Sequence, residues 1–158
     1  MNSTTSTSQY RYLAKDATAF PDFKNQVEVV TCFIEHDDQI LVLKRSEKED
    51  QPFMWGIPGG KIDAGVDPDP HTAIVREVLE ETGLRLKPSD VILCATRYVR
   101  ADGWDYTLHL FHLKVLSKPD VTLSEEHLEA AWVAITDFTS LTLLKGQSEA
   151  FEVVYEEQ

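Results

Sequence analysis

Three glutamates crowd one side of the short stretch Arg76-Glu77-Val78-Leu79-Glu80-Glu81-Thr82-Gly83. Placed at about 100° per residue around a helix axis, Glu80 and Glu81 fall within about 60° of Glu77 on either side, and Ile74, Val75, Val78 and Leu79 take the opposite arc. Carboxylates three or four positions apart repel by roughly a few tenths of a kcal/mol per pair, so the patch is locally unfavourable without a counter-ion. A hard divalent cation such as Mg²⁺ or Mn²⁺ removes that penalty, because it takes oxygen ligands and keeps open positions for water and anions. A carboxylate beside such an ion can also take a proton from water. By itself an acidic helix face is ordinarily a solvated surface. The upstream run PFMWGIPGGKIDAG changes that reading, since Gly59 and Gly60 leave the backbone open to close approach and Pro58 stiffens the entry.

These residues need elements to hold them. Helical periodicity runs from about Pro70 to Thr82, with Asp69 as N-cap, Pro70 at the first helical position and Gly83 as a left-handed C-terminal cap. Before it, VEVVTCFI and ILVL flank the polar EHDDQ and predict a β-hairpin. After it, VILCATRYV, YTLHLFHLKVL and AAWVAI read as three strands separated by the turn-like ADGWD and SKPD. The stretch from about Leu141 to Tyr155 can hold a further helix with Phe151, Val154 and Tyr155 on its apolar face. Strands mixed with two or three helices predict an α/β (α+β) sandwich. Residues 1–9 are Ser/Thr-rich and read as a mobile tail, which leaves residues 10–158 as one domain.

Composition excludes several functions. With 27 acidic against 15 basic side chains, a formal net charge of −12 and a pI near 4.7, the chain has no global positive field to gather a nucleic-acid polymer. Any anionic ligand must be drawn locally, by a bound cation and a few Lys or Arg. Cys32 and Cys94 sit in apolar runs without CxxC spacing and read as small hydrophobes. His109 and His112 lie on one strand with side chains on opposite faces, so they form no metal pair. No basic-then-apolar leader and no run of 18 apolar residues occurs, so the expectation is a cytoplasmic protein without a membrane span; monomer and homodimer both stay open.

From Gly60 to Leu84 the chain reads GKIDAGVDPDPHTAIVREVLEETGL, which resembles the signature G-x5-E-x7-R-E-U-x-E-E-x-G-U (U aliphatic) of the Nudix, or MutT-like, hydrolase family. Gly60, Arg76, Glu77, Val78, Glu80, Glu81, Gly83 and Leu84 match. Two positions depart: Val66 stands where the family has its first glutamate, and the spacer before Arg76 is two residues longer. In the family that glutamate braces the loop against the helix, and Asp67 or Asp69 could substitute. An early strand pair, WGIPGGKI before the helix and the late EEHLEAAWVAI segment extend the likeness over most of residues 27–140.

The resemblance implies an α/β/α sandwich around a mixed sheet. It implies a Mg²⁺-dependent pyrophosphohydrolase (Mn²⁺ as the alternative ion) that splits the diphosphate of a nucleoside diphosphate derivative or a (deoxy)nucleoside triphosphate by water attack at phosphorus. Two other readings stand beside this: a house-cleaning diphosphatase for oxidised deoxynucleoside triphosphates, and a Nudix-fold protein that binds a nucleotide without cleaving it. By the same resemblance Glu77, Glu80, Glu81 and the Gly59 carbonyl hold the cations, and Arg76 holds the glutamates. Glu126, six residues before Trp132, is the further carboxylate, with Glu125 beside it. Glu80, Glu81 and Glu126 are the candidate bases. For the substrate, the candidates are Arg45, Lys61, Arg97 and Arg100 on phosphate oxygens and Phe53, Trp55, Tyr98, Trp104 and Tyr106 on a base.

Overall fold

The computed structural model describes residues 10–16, 18, 21–101 and 103–157; the tail expected over residues 1–9 lies outside them. Eight strands form one mixed sheet: β1 (Tyr10–Ala14), β2 (Val27–His36), β3 (Gln39–Arg45), β4 (Trp55–Gly56), β5 (Gly59–Lys61), β6 (Ile92–Ala101), β7 (Trp104–Lys114) and β8 (His127–Ala134). The main path is β1-β6-β7-β2-β3-β4, with β5 added to β2 and β8 to β3. The long β2–β7 pair is parallel, Val27 to Glu35 against Tyr106 to Lys114, and the other strand pairs are antiparallel.

Helices cover both faces, which is why β2 reads as a continuous apolar run rather than an alternating one. Helix α1 (Pro70–Thr82) presses Ala73, Ile74 and Val78 onto Val30, Cys32, Ile34, Leu41, Leu43 and Phe111. Helix α2 (Gln147–Phe151), continued by a π-turn over Glu152–Glu156, covers the other face. There Phe151 stacks on Phe138 (4.9 Å) and Tyr155 (4.8 Å), with Phe33 edge-on to all three. No helix among the described residues is long and apolar enough to cross a membrane.

The expected hairpin is present but splayed. Asp37 and Asp38 take positive φ (46° and 60°), as a two-residue turn of the primed type requires. Only Glu35↔Ile40 and His36↔Gln39 then pair. Beyond them the strands part, because the segment around Pro58 enters the gap: the Cys32 N–H donates to the Pro58 carbonyl (3.0 Å), and β5 pairs with Val29–Thr31. β3 finds its long partner in β8 instead. The β1 strand has no sequence signal of its own and is set by pairing with β6.

Candidate active site

Helix α1 begins and ends where its caps dictate. The Asp69 carboxylate accepts from Thr72 N–H (2.8 Å), Pro70 opens the first turn, and Gly83 at φ 77° donates its N–H to Leu79 O. Burying Ile74 and Val78 turns Glu77 and Glu81 toward β5. Glu81 Oε1 accepts from Gly59 N–H at 3.1 Å. A Cβ on Gly60 would lie 2.0 Å from Glu77 Oε2, and one on Gly59 only 2.3 Å from Val30 O. Both glycines are therefore required for the helix, the loop and β2 to meet at this distance.

Asp67, the residue after Val66, is the spacer carboxylate that meets Arg76. Its carboxylate is sealed from solvent and accepts from Arg76 Nε (2.9 Å) and from the Arg76 terminal nitrogen (2.7 Å), a two-pronged contact. It also accepts from Asp63 N–H (2.9 Å), and its own N–H returns to Asp63 O (2.7 Å), so the longer spacer is folded into a tight turn that delivers it. Val66 points to solvent, and Asp69 is spent on capping. Arg76 then reaches Glu80 (3.2 and 3.3 Å), Lys61 O (3.2 Å) and Glu77 (3.6 Å), which joins helix, spacer and β5 through one guanidinium. The Arg76 hydrogen bonds hold the Asp67 carboxyl below its ordinary range.

The remaining carboxylates are electrostatically unsatisfied. Burial pushes Glu81 up to about 9, against the Gly59 N–H that favours its charge, and Glu77, Glu126 and Glu80 add repulsion. Burial pushes Glu77 up to about 7, opposed by Arg76, with Glu80, Glu126 and Asp67 adding to the rise. Glu126 is exposed, yet close enough for its charge to bear on both. Among the described residues no three acidic, His or Cys side chains close into a ready-made cage. Glu80 is turned to Arg76 and Glu81 to Gly59, so the carboxylates form an open rim. An all-oxygen rim whose Glu77 and Glu81 lack a counter-charge sufficient to keep them ionised fits a hard divalent cation that keeps water and anionic ligands in its shell.

Across β5, on the face that carries α2, lies a cleft of about 380 Å³. Val27, Val29 and Thr31 form its floor, Trp104 and Tyr106 one side, and Lys145 to Gln147 the other. Lys61 lines it too, and Lys61 neighbours Gly60, against which Glu77 packs. Cleft and rim are thus two sides of one three-residue strand.

Of the residues proposed from sequence for the substrate, Lys61, Trp104 and Tyr106 reach this cleft. Six others do not line it. Arg45 is taken up by its own loop, donating from Nε to Asp50 O (2.9 Å) and pairing with the Asp50 carboxylate and with Glu49 (3.6 Å). Arg97 is buried, donating to Thr96 O (3.1 Å) and Glu157 (3.2 Å). Tyr98 pairs with Thr107, one residue out of phase with the cleft-lining Tyr106 and Leu108, so it faces the opposite side of the sheet and packs edge-on to Phe23. Trp55 packs against the α2 side of the core with Lys44 Nζ over its ring. Arg100 is held by Asp105 and Asp22. Phe53 is exposed and outside the cleft wall. Asp50, Lys145 and Gln147, which do line it, carry no sequence signal, because they reach the site only through the packing of α2 and the loop after β3. His109 bonds to Glu28 (2.7 Å) and His112 to Glu35 (2.9 Å), on opposite faces of β7.

This fold and signature are shared. The chain belongs to the Nudix family: the NUDIX domain profile matches residues 24–155. It is 33% identical over 109 residues to the CTP pyrophosphohydrolase of Escherichia coli (strain K12), an alignment covering 67% of this chain and 74% of that protein. The MutT protein of Methanosarcina mazei Go1 superposes with a TM-score of 0.69 and 28% identity, covering 85% of this chain and 96% of that one. The NUDIX domain of Shewanella oneidensis NrtR, solved with ADP ribose, shares the fold at a TM-score of 0.71 and 19% identity, covering 90% and 92% of the two chains.

Proposed function

We propose that the protein is a Nudix pyrophosphohydrolase, acting on the acid-anhydride linkage of a nucleotide, and that its substrate is a (deoxy)nucleoside triphosphate or a related nucleoside diphosphate derivative. The observation that carries this is the joint use of β5: Gly59 and Gly60 receive the carboxylates of α1, and Lys61 enters the cleft. A ligand with its base between Trp104, Tyr106 and the apolar floor has its phosphates directed past Lys61 toward the rim. The likeness to a CTP pyrophosphohydrolase supports a triphosphate.

Glu77, Glu80, Glu81 and the Gly59 carbonyl would hold Mg²⁺, or Mn²⁺ in its place. Bound there, the cation supplies charge neutralisation at the diphosphate oxygens. The protein's own groups do the rest. Arg76, locked by Asp67, fixes the pitch of the glutamates. Lys61 pairs with a phosphate oxygen, and a rim carboxylate, with Glu126, Glu81 and Glu80 the candidates, takes the proton of the attacking water. The phosphorus–oxygen bond of the anhydride breaks as the water oxygen bonds to phosphorus, and the leaving phosphate carries away the electron pair.

The bracing of Arg76 by Asp67 supports catalysis over binding alone, because it ties the acidic helix to the loop although Val66 stands at the signature's glutamate position and the spacer is two residues longer. The test is product analysis on normal and oxidised triphosphates, ADP-ribose and sugar nucleotides, with Mg²⁺, with chelator and with Glu81→Gln. Metal-dependent cleavage lost in Glu81→Gln supports the reading. A preference for oxidised dGTP narrows it to house-cleaning, and tight nucleotide binding without turnover replaces it by the binding protein.

A further inference from the structure

Residues 57–59 lead from the sheet into the rim, and each is pinned by a different element. Ile57 N–H donates to the side-chain oxygen of Gln147, on α2, at 2.9 Å. Pro58 O accepts from Cys32 N–H, on β2, at 3.0 Å. Gly59 N–H donates to Glu81, on α1, at 3.1 Å. The approach to α2 is tight just upstream: a Cβ on Gly56 would lie 2.5 Å from Leu144 Cδ1 and 3.4 Å from Gln147 Oε1. Only Pro58, with its φ fixed by the ring, separates the Gln147 contact from the Glu81 contact, so a shift at Ile57 has little slack before it reaches Gly59.

Gln147 also lines the cleft. A backbone N–H can only donate, so the amide atom facing Ile57 is the oxygen, and the two donors on the side-chain nitrogen are what Gln147 has left for a ligand. We propose that Gln147 is a positioning residue for the hydrolysis: its oxygen sets the strap that orients Glu81, its nitrogen meets the occupant of the cleft, and occupancy of the cleft thereby tightens the carboxylate rim. The catalytic part of this rests on the function proposed above; the mechanical part does not.

The experiment compares Gln147→Glu, which keeps an acceptor for Ile57 and removes the donors, with Gln147→Met, which removes both at similar length. In the metal-free, substrate-free protein, amide exchange followed by NMR should quicken about tenfold or more at Ile57 and Gly59 in Gln147→Met, with the core amide of Val42 unchanged, and stay within about threefold in Gln147→Glu. In Mg²⁺-dependent turnover, Gln147→Met should lose about tenfold or more in kcat, whereas Gln147→Glu should keep kcat within about threefold and raise KM. An unchanged Gly59 amide in Gln147→Met overturns the proposal. So does a uniform quickening that includes Val42, which marks a merely structural role, or a rise in KM alone in both variants, which marks a simple ligand contact. If the wild type cleaves nothing, the functional reading fails by itself, and the exchange data still decide whether Gln147 sets the strap.

Discussion

Asp67 and Arg76 meet in a two-pronged ion pair at 2.9 and 2.7 Å, the carboxylate fully buried and the guanidinium about a quarter exposed. The pair ties the lengthened spacer to helix α1 through the residue that follows Val66. Removing Asp67 takes from Arg76 its two shortest hydrogen bonds and leaves the Asp63 N–H without its acceptor. Asp67→Ala should therefore destabilise the protein by about 2 kcal/mol, and lower turnover by about tenfold as Arg76 lets the glutamates drift. Val66→Glu should not rescue it, because that side chain points to solvent. Thermal melting and kcat for Asp67→Ala and for Asp67→Ala with Val66→Glu check this; an unaltered melt in Asp67→Ala would show that the pair is no brace.

The two glycines should fail differently. In Gly60→Ala the new methyl meets the far end of a flexible side chain, Glu77, so the fold should persist while kcat drops by about one to two orders of magnitude. In Gly59→Ala it meets the backbone of Val30, and the loss should appear as about 1–3 kcal/mol of stability. Denaturant unfolding beside steady-state kinetics separates the two outcomes.

Protonation of the rim ties stability to pH. Both carboxyls have folded-state values raised from an ordinary 4.5, Glu77 to about 7 and Glu81 to about 9, so the fold favours their neutral forms. The stability they contribute is complete below about 4.5 and is lost as pH rises through 7 and then 9. Cation binding needs the ionised forms and should release protons. The gain in melting temperature on adding Mg²⁺ should therefore grow from pH 5 to pH 9, and Glu81→Gln should flatten the upper part of that rise. A Mg²⁺ effect independent of pH would place the cation elsewhere.

Trp104 stands half exposed at the cleft wall, where stacking on a base is worth about 1–3 kcal/mol. Trp104→Ala should raise KM by about 5- to 100-fold with kcat little changed. Tyr98→Phe, on the other face of the sheet, should leave KM as it was. Equal effects from the two would refute the placement of the cleft.

Local signals were sufficient for helix α1. Its period, Asp69, Pro70 and Gly83 act within a turn or two of one another, and the acidic face follows from spacing alone. The β-branched runs likewise announced the locations of five of the seven later strands in outline, since β2, β3, β6, β7 and β8 lie where those runs do, whereas β4 and β5 fall in the Gly/Pro segment. The parallel match of β2 to β7, the splay of the hairpin and the choice of Asp67 over Asp69 were decided by tertiary structure. So was the cleft: Asp50, Lys61, Trp104 and Gln147 come together from four segments, while Arg45 and Arg97 are claimed by nearby acids. A motif states which groups are present and how they are spaced along one helix. Which of them meet a ligand depends on strand register and on which face each side chain takes, and a shift of one residue, as between Tyr98 and its neighbours, carries a side chain to the other side of the sheet.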